Sequence, residues 1–421
     1  MIQTHTLSNG LTIMMERLPH LRSASVGIFV KAGSIMEETP QSGLSHFIEH
    51  MAFKGTKTRN SRQIAEEIDL IGGNVNAATS KLATSYYARI TDKDLKRALD
   101  LLADMVVRTD EDEGDFEKER QVILEEIAME ADSPEDLVFN LAHEGLYGLQ
   151  TLSRTILGSK SAIKDYRLQD LQAFRVSYYQ PGNAVLSVAG HFDPEQFIAW
   201  AEMSFGDWQG RENKTFPLNR VIEDNKQLTL DKDVEQAHLC LSYPGLPSLH
   251  DDRHSLAAFS TAFGGGVSSR LFQKIREDEG LVYNIYSAPS FYPDCGEFMV
   301  YAACSPRKVV QVLDLIRQEQ QNIIRHGIQK QEFLQTVAQM KTGFVLGMES
   351  VYQRMATMGI NKLVHDRIVQ PRETLALLKK VSLKNVNRIA REILEKEPRL
   401  AIVGKKIGKH LSRKEKPNGP A

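Results

Sequence analysis

An echo late in each half of the chain narrows its fold more than any other feature. Ala184-Val185-Leu186-Ser187-Val188-Ala189-Gly190 returns as Pro398-Arg399-Leu400-Ala401-Ile402-Val403-Gly404. Each copy is an apolar run closed by glycine, and each follows a helical pattern, Leu168 to Ser177 and Leu383 to Leu394. A strand-like run behind a helix, met twice at similar places, points to duplication of an αβ unit. The flanking segments fit. Ser8-Asn9-Gly10 between Leu7 and Leu11-Thr12-Ile13 is a hairpin turn, and Ser25 to Val30 is strand-like. Helices are expected from about Gly43 to Phe53 and from Ser61 to Gly72-Gly73, then a long strand or hairpin over Asn74 to Ile90. Thr91-Asp92-Lys93-Asp94 reads as a capping box for a helix to about Arg108. Asp115 to Glu130 is an amphipathic helix, and Ser133-Pro134 opens the next. The second half has strand text over Leu228 to Tyr243, helices near Asp252 to Phe263 and Ser269 to Glu277, and strands over Tyr283 to Cys304. A length of 421 residues allows two or three domains. The duplication divides it into 1–212 and 224–404, leaving a basic tail, 405–421, expected to be disordered. The expected class is α+β, two homologous αβ domains, each an antiparallel sheet with helices on one face.

Composition mainly excludes. Lys and Arg number 52 against 54 Asp and Glu, a net charge of −2, without the basic excess of a nucleic-acid binder. Cys240, Cys295 and Cys304 have no CxxC spacing, which excludes a disulfide scaffold and a cysteine-rich zinc module and suits a reducing, cytoplasmic setting. The N-terminus lacks a basic segment followed by an apolar one, so no signal peptide is expected. No apolar run approaches the ~18 residues of a membrane span, so no membrane partner is expected either.

The chemistry is concentrated in His46-Phe47-Ile48-Glu49-His50. Two histidines four apart on a helix share a face and can reach one ion, and Glu49, three after His46, lies on that face too. HxxEH is the reverse of HExxH; in both, the histidines bind zinc and the glutamate takes a proton from the attacking water. A third ligand is needed. Glu119-Arg120-Gln121-Val122-Ile123-Leu124-Glu125-Glu126 offers candidates. Glu119 and Glu126 are two helical turns apart and line one face, with Glu125 about 100° away. Spacing by itself leaves Glu125 and Glu126 both open.

HFIEHMAFKGT followed by ERQVILEEI resembles the pitrilysin (inverzincin, M16) family of zinc peptidases, in its shorter branch with mitochondrial processing peptidase and its bacterial relatives. The resemblance runs through essentially the whole chain. It includes Tyr178-Tyr179-Gln180-Pro181-Gly182-Asn183-Ala184, and Ser269-Arg270-Leu271-Phe272-Gln273 with Gly280-Leu281-Val282-Tyr283. It implies a LuxS/MPP-like metallohydrolase fold and one Zn²⁺ per chain, with His46, His50 and Glu126 as ligands, Glu49 as general base and Glu119 as the supporting acid. It implies that Arg276 and Tyr283 hydrogen-bond the substrate at the zinc. Asn76, Ala77 and Thr79 would lie on a strand whose edge takes up a substrate peptide. The family's processing peptidases read basic presequences with two acidic residues four apart; Asp136 matches the first, but Asn140 replaces the second. The expected activity is therefore a zinc endopeptidase for oligopeptides or unfolded segments, working in the chamber of a homodimer. A non-catalytic family subunit and a maturase for one peptide are the alternatives.

Overall fold

Asn9-Gly10 turns the chain as its sequence suggests. Gly10 takes φ +99°, and β1 (Ile2–Thr6) pairs antiparallel with β2 (Thr12–Arg17) through Thr6↔Thr12. The structure is a computed structural model and describes residues 1–222 and 227–411. β3 (Ser23–Val30), β4 (Asn74–Thr79), β5 (Thr84–Thr91) and β6 (Ala184–Gly190) complete a six-stranded sheet of order β1-β2-β6-β3-β5-β4. The second sheet contains β7 (Leu228–Asp231), β8 (Ala237–Pro244), β9 (Val282–Phe291), β10 (Gly296–Cys304) and β11 (Arg399–Gly404). Its order is β7-β11-β8-β10-β9.

The two sheets repeat one plan. β6, the first copy of the echoed sequence, lies parallel to β2 and antiparallel to β3; β11, the second copy, lies parallel to β7 and antiparallel to β8. The α+β reading holds, but each sheet is mixed where an antiparallel one was expected. The reason is topological. β2 and β3 run in opposite directions, so a strand inserted between them must be parallel to one. β11 meets the same condition between β7 and β8.

Helices cover both faces of each sheet, where one face was expected. Every residue of β6 is buried. Leu186 and Val188 pack on one side with Leu44, Phe47, Leu102 and Phe197. Val185 and Ala189 pack on the other with Met355 and Met358 of the helix Val351–His365. There Ser187 Oγ donates to the Met355 carbonyl at 2.8 Å. In the second sheet, Ile402 of β11 joins the core containing Phe259 and Phe298, while Ala401 and Val403 face Val138 and Ala142 of the helix Pro134–Tyr147. In both cases the covering helix is remote in sequence from the strands it shields. The compact units are accordingly discontinuous. Among the described residues, one holds 1–128, 154–217 and 345–374; the other holds 129–153, 218–222, 227–344 and 375–411.

Two local readings are made more specific. The helix expected near Ser269 to Glu277 is a π-helix over Phe272–Asp278. The start of the basic tail is ordered as a short helix, Ile407–Leu411, with Ile407 buried in the second core. Residues 412–421, and the boundary near 224, lie outside the described residues.

Candidate active site

The helix Leu44–Met51 carries the HxxEH residues. It buries Leu44, Phe47, Ile48 and Met51 against the first core, which leaves His46, Glu49 and His50 on the opposite, half-buried face. Its start is tightly specified. Gly43 has φ +95°, and a Cβ there would lie 2.6 Å from the Leu157 carbonyl oxygen. The buried Glu37 carboxylate accepts the Gly43 and Ser45 N–H groups, each at 2.8 Å, placing a carboxylate at the positive end of the helix. Burial nevertheless pushes Glu37 up to about 7, against those two bonds and the charge of Arg154.

Phe47 stacks on Phe116 at 4.6 Å between centroids, joining this helix to the helix Glu113–Asp132. The Arg120 guanidinium donates to the carbonyls of Ile163, Lys164 and Tyr166 and fixes that second helix in turn. Glu119 and Glu126 then face the histidines, whereas Glu125 is exposed. Among the described residues, His46, His50 and Glu126 form the one cluster able to hold a metal ion, with their ligand atoms all within 4.8 Å of one another.

The donors fit a zinc ion. Glu126 Oε2 is 3.7 Å from His46 Nε2 and 3.6 Å from His50 Nε2. These separations are too long for hydrogen bonds, yet suit atoms that converge on one ion with bonds of about 2.0–2.2 Å. His50 Nδ1 lies 3.0 Å from Glu119 Oε2, so its proton belongs on Nδ1 and the Nε2 lone pair faces the cluster. His46 is pushed down to about 4 by burial and by His50, which keeps its imidazole neutral and able to ligate. Its Nδ1 is buried without a hydrogen-bond partner.

Glu49 sits beside the cluster and accepts a hydrogen bond from Thr79 Oγ1 at 2.5 Å. Burial raises its carboxyl above the usual carboxylate value, opposed by bonds from the Thr79 side chain and backbone and by His50. Thr79 ends β4, the edge strand of the sheet, on which Asn74, Asn76 and Ala78 are exposed. The Ala77 N–H is held by Asn76 Oδ1 at 2.8 Å.

Arg276 and Tyr283 belong to the other compact unit, where the structure brings them together. The Arg276 guanidinium lies 4.6 Å from the Phe272 ring centroid and 5.6 Å from that of Tyr283, within cation–π range. Tyr283 is 74% exposed, unusual for a tyrosine at the start of a strand. Sequence reasoning missed two polar groups that support the site. Lys54 Nζ holds Glu119 Oε1 at 2.6 Å, so each oxygen of that carboxylate has its own partner. Glu37 is the other. Lys54 stands four residues after His50, a spacing that could have pointed to it; a lone Glu seven residues before the helix carries no such signal.

Residues 12–160 match the family described as insulinase (peptidase family M16), and residues 165–340 match the peptidase M16 inactive domain. The chain is 37% identical to the zinc protease YmxG of Bacillus subtilis over 404 residues, covering 96% of this chain and 98% of that protein. This chain belongs to peptidase family M16. A zinc protease of Mycobacterium leprae is 36% identical to this M16 member, over 95% of the chain and 91% of the relative. Among solved structures, a protease from Helicobacter pylori superposes with a TM-score of 0.89 at 24% identity, covering 96% of this chain and 99% of that one. An M16 inactive-domain protein from Pseudomonas fluorescens does so with a TM-score of 0.86 at 18% identity, covering 96% and 98%. Both share the M16 fold described above. No helix among the described residues is long and apolar enough to cross a membrane.

Proposed function

We propose that this M16 member is a zinc-dependent endopeptidase that cleaves oligopeptides or unfolded segments. The convergence of His46, His50 and Glu126 with Glu49 alongside carries the reading. The three would hold one zinc per chain, and zinc there supplies Lewis acidity, polarising a carbonyl and lowering the pKa of water toward ~7. Glu49 accepts the proton of the attacking water and passes it to the leaving amine. Glu119 holds His50 in the tautomer that ligates. Arg276 and Tyr283 donate to the scissile carbonyl oxygen as it gains charge; the exposure of Tyr283 and its packing with Arg276 support a shared task. Asn76, Ala77 and Thr79 lie on a sheet edge, which can add an extended peptide by main-chain hydrogen bonds. In this reading the first half, 1–212, binds the metal and the second, 224–404, clamps the substrate. Two copies pair as a homodimer and cut the peptide in the enclosure they form. The three cysteines are buried free thiols, in keeping with a reducing, cytoplasmic setting.

Glu49→Gln tests the mechanism. It should bind zinc like the parent and lose roughly 10²- to 10⁴-fold in kcat on a peptide library read by mass spectrometry, with a chelator abolishing parent cleavage. Cleavage at the parent rate by Glu49→Gln would refute the assignment. A fully active monomer in sedimentation would remove the dimer.

A further inference from the structure

Thr79 stands at the end of the edge strand, in register with Thr84 of β5. Thr84 is fully buried, and its hydroxyl donates to the Ala32 carbonyl at 2.6 Å, which commits its single proton. The Thr79 hydroxyl lies 3.3 Å from Thr84 Oγ1 and 2.5 Å from Glu49 Oε2. An ionised carboxylate only accepts, so the Thr79 proton goes to Glu49. A glutamate side chain otherwise has several rotatable bonds, and holding it in one geometry costs rotamer entropy. Here the Thr79 hydroxyl ties it to the end of the edge strand.

We propose that Thr79 is a positioning residue for Glu49: its hydroxyl, donating to Oε2, fixes the carboxylate beside the metal cluster. The strand that offers its edge to a peptide then also sets the place of the base that cuts it. The inference rests on reading Glu49 as the general base. It gives the Thr79 side chain a task apart from the main-chain binding of substrate, since the hydroxyl is already occupied by Glu49. A base displaced by a fraction of an ångström loses alignment with the reacting water, and such misplacement costs rate rather than binding.

The test compares the parent with Thr79→Val, Thr79→Ser and Glu49→Gln, measuring kcat and KM on a quenched fluorescent peptide, zinc content and thermal midpoint. Thr79→Val keeps the shape and removes the hydroxyl. It should keep its zinc and its KM within about twofold while kcat falls roughly 10- to 100-fold. Thr79→Ser restores the hydroxyl and should recover most of the loss. A raised KM at unchanged kcat would overturn the proposal, since the side chain would then be binding substrate. Loss of zinc, or equal loss in Val and Ser, would overturn it too. Full activity in Thr79→Val with an inactive Glu49→Gln would refute the role of Thr79 alone; full activity in both would refute the base itself. If Thr79→Val does not fold, Thr79→Ala is read in its place by the same criteria.

Discussion

Single side chains divide here into those proposed for the chemistry and those that hold them. The spacing of His46, Glu49 and His50 announced one helical face because the chemistry and the helical period coincide. Glu126 was one of two candidates by spacing. The structure separates them physically, since Glu125 points to solvent and Glu126 to the histidines. Spacing sets Lys54 on the face of His50, but its partner Glu119, like the partner of the Thr79 hydroxyl, Glu49, meets it only through tertiary packing. Glu119 invites a direct test. It is buried and bridges His50 and Lys54, so Glu119→Ala frees the His50 ring and leaves Lys54 without its carboxylate. Zinc affinity, measured by competition with a chromogenic chelator, should fall about 10- to 100-fold. Parent affinity in that variant would show that Glu119 does not tune the ligand.

At the level of the element, the helix Leu44–Met51 matters most. It is only two turns long, too short to be stable by propensity, and is held by packing and by its start. Glu37 at that start gives a pH signature. Its carboxyl ionises near 7 in the folded chain and near 4.5 when unfolded, so the folded state holds the proton more tightly. Stability from this group is therefore full below the unfolded value, falls as pH rises toward about 7, and is level above, a change of roughly 3 kcal/mol. His46 slopes the other way. Its folded value of about 4 lies below 6.5, so its contribution is lost as pH falls through that window. The difference between parent and Glu37→Gln isolates the carboxyl. Chemical denaturation in chelator should show the variant's deficit to be greatest at pH 5 and smallest at pH 8; a deficit independent of pH would refute the titration.

Over the whole molecule, the decisive feature is that each sheet is completed by a helix remote in sequence. Residues 345–374 belong with the first sheet, and 129–153 with the second. A chain cut after residue 217 should keep all six strands of the first sheet but expose Met14, Phe29, Val185 and Ala189, which Met355 and Met358 cover in the intact protein. An apolar sheet face left in water drives association. The fragment 1–217 should aggregate or bind a hydrophobic dye, and co-expression of 345–374 should restore a soluble form. A monomeric, cooperatively folded 1–217 would refute this view of the unit.

By itself the sequence determined what depends on short-range period and spacing. That includes the hairpin at Asn9-Gly10, the helix bearing His46, Glu49 and His50, the helical face shared by Glu119 and Glu126, and the repeated strand that becomes β6 and β11. Tertiary structure decided what depends on partners distant along the chain. It made each sheet mixed, because a late strand enters between two that already run in opposite directions. It covered both faces of each sheet, because an isolated strand pattern does not say which remote helix will lie on it. And it placed a threonine from an edge strand against Glu49, a contact that two separate periodicities can produce only once the sheet and the helix are packed together.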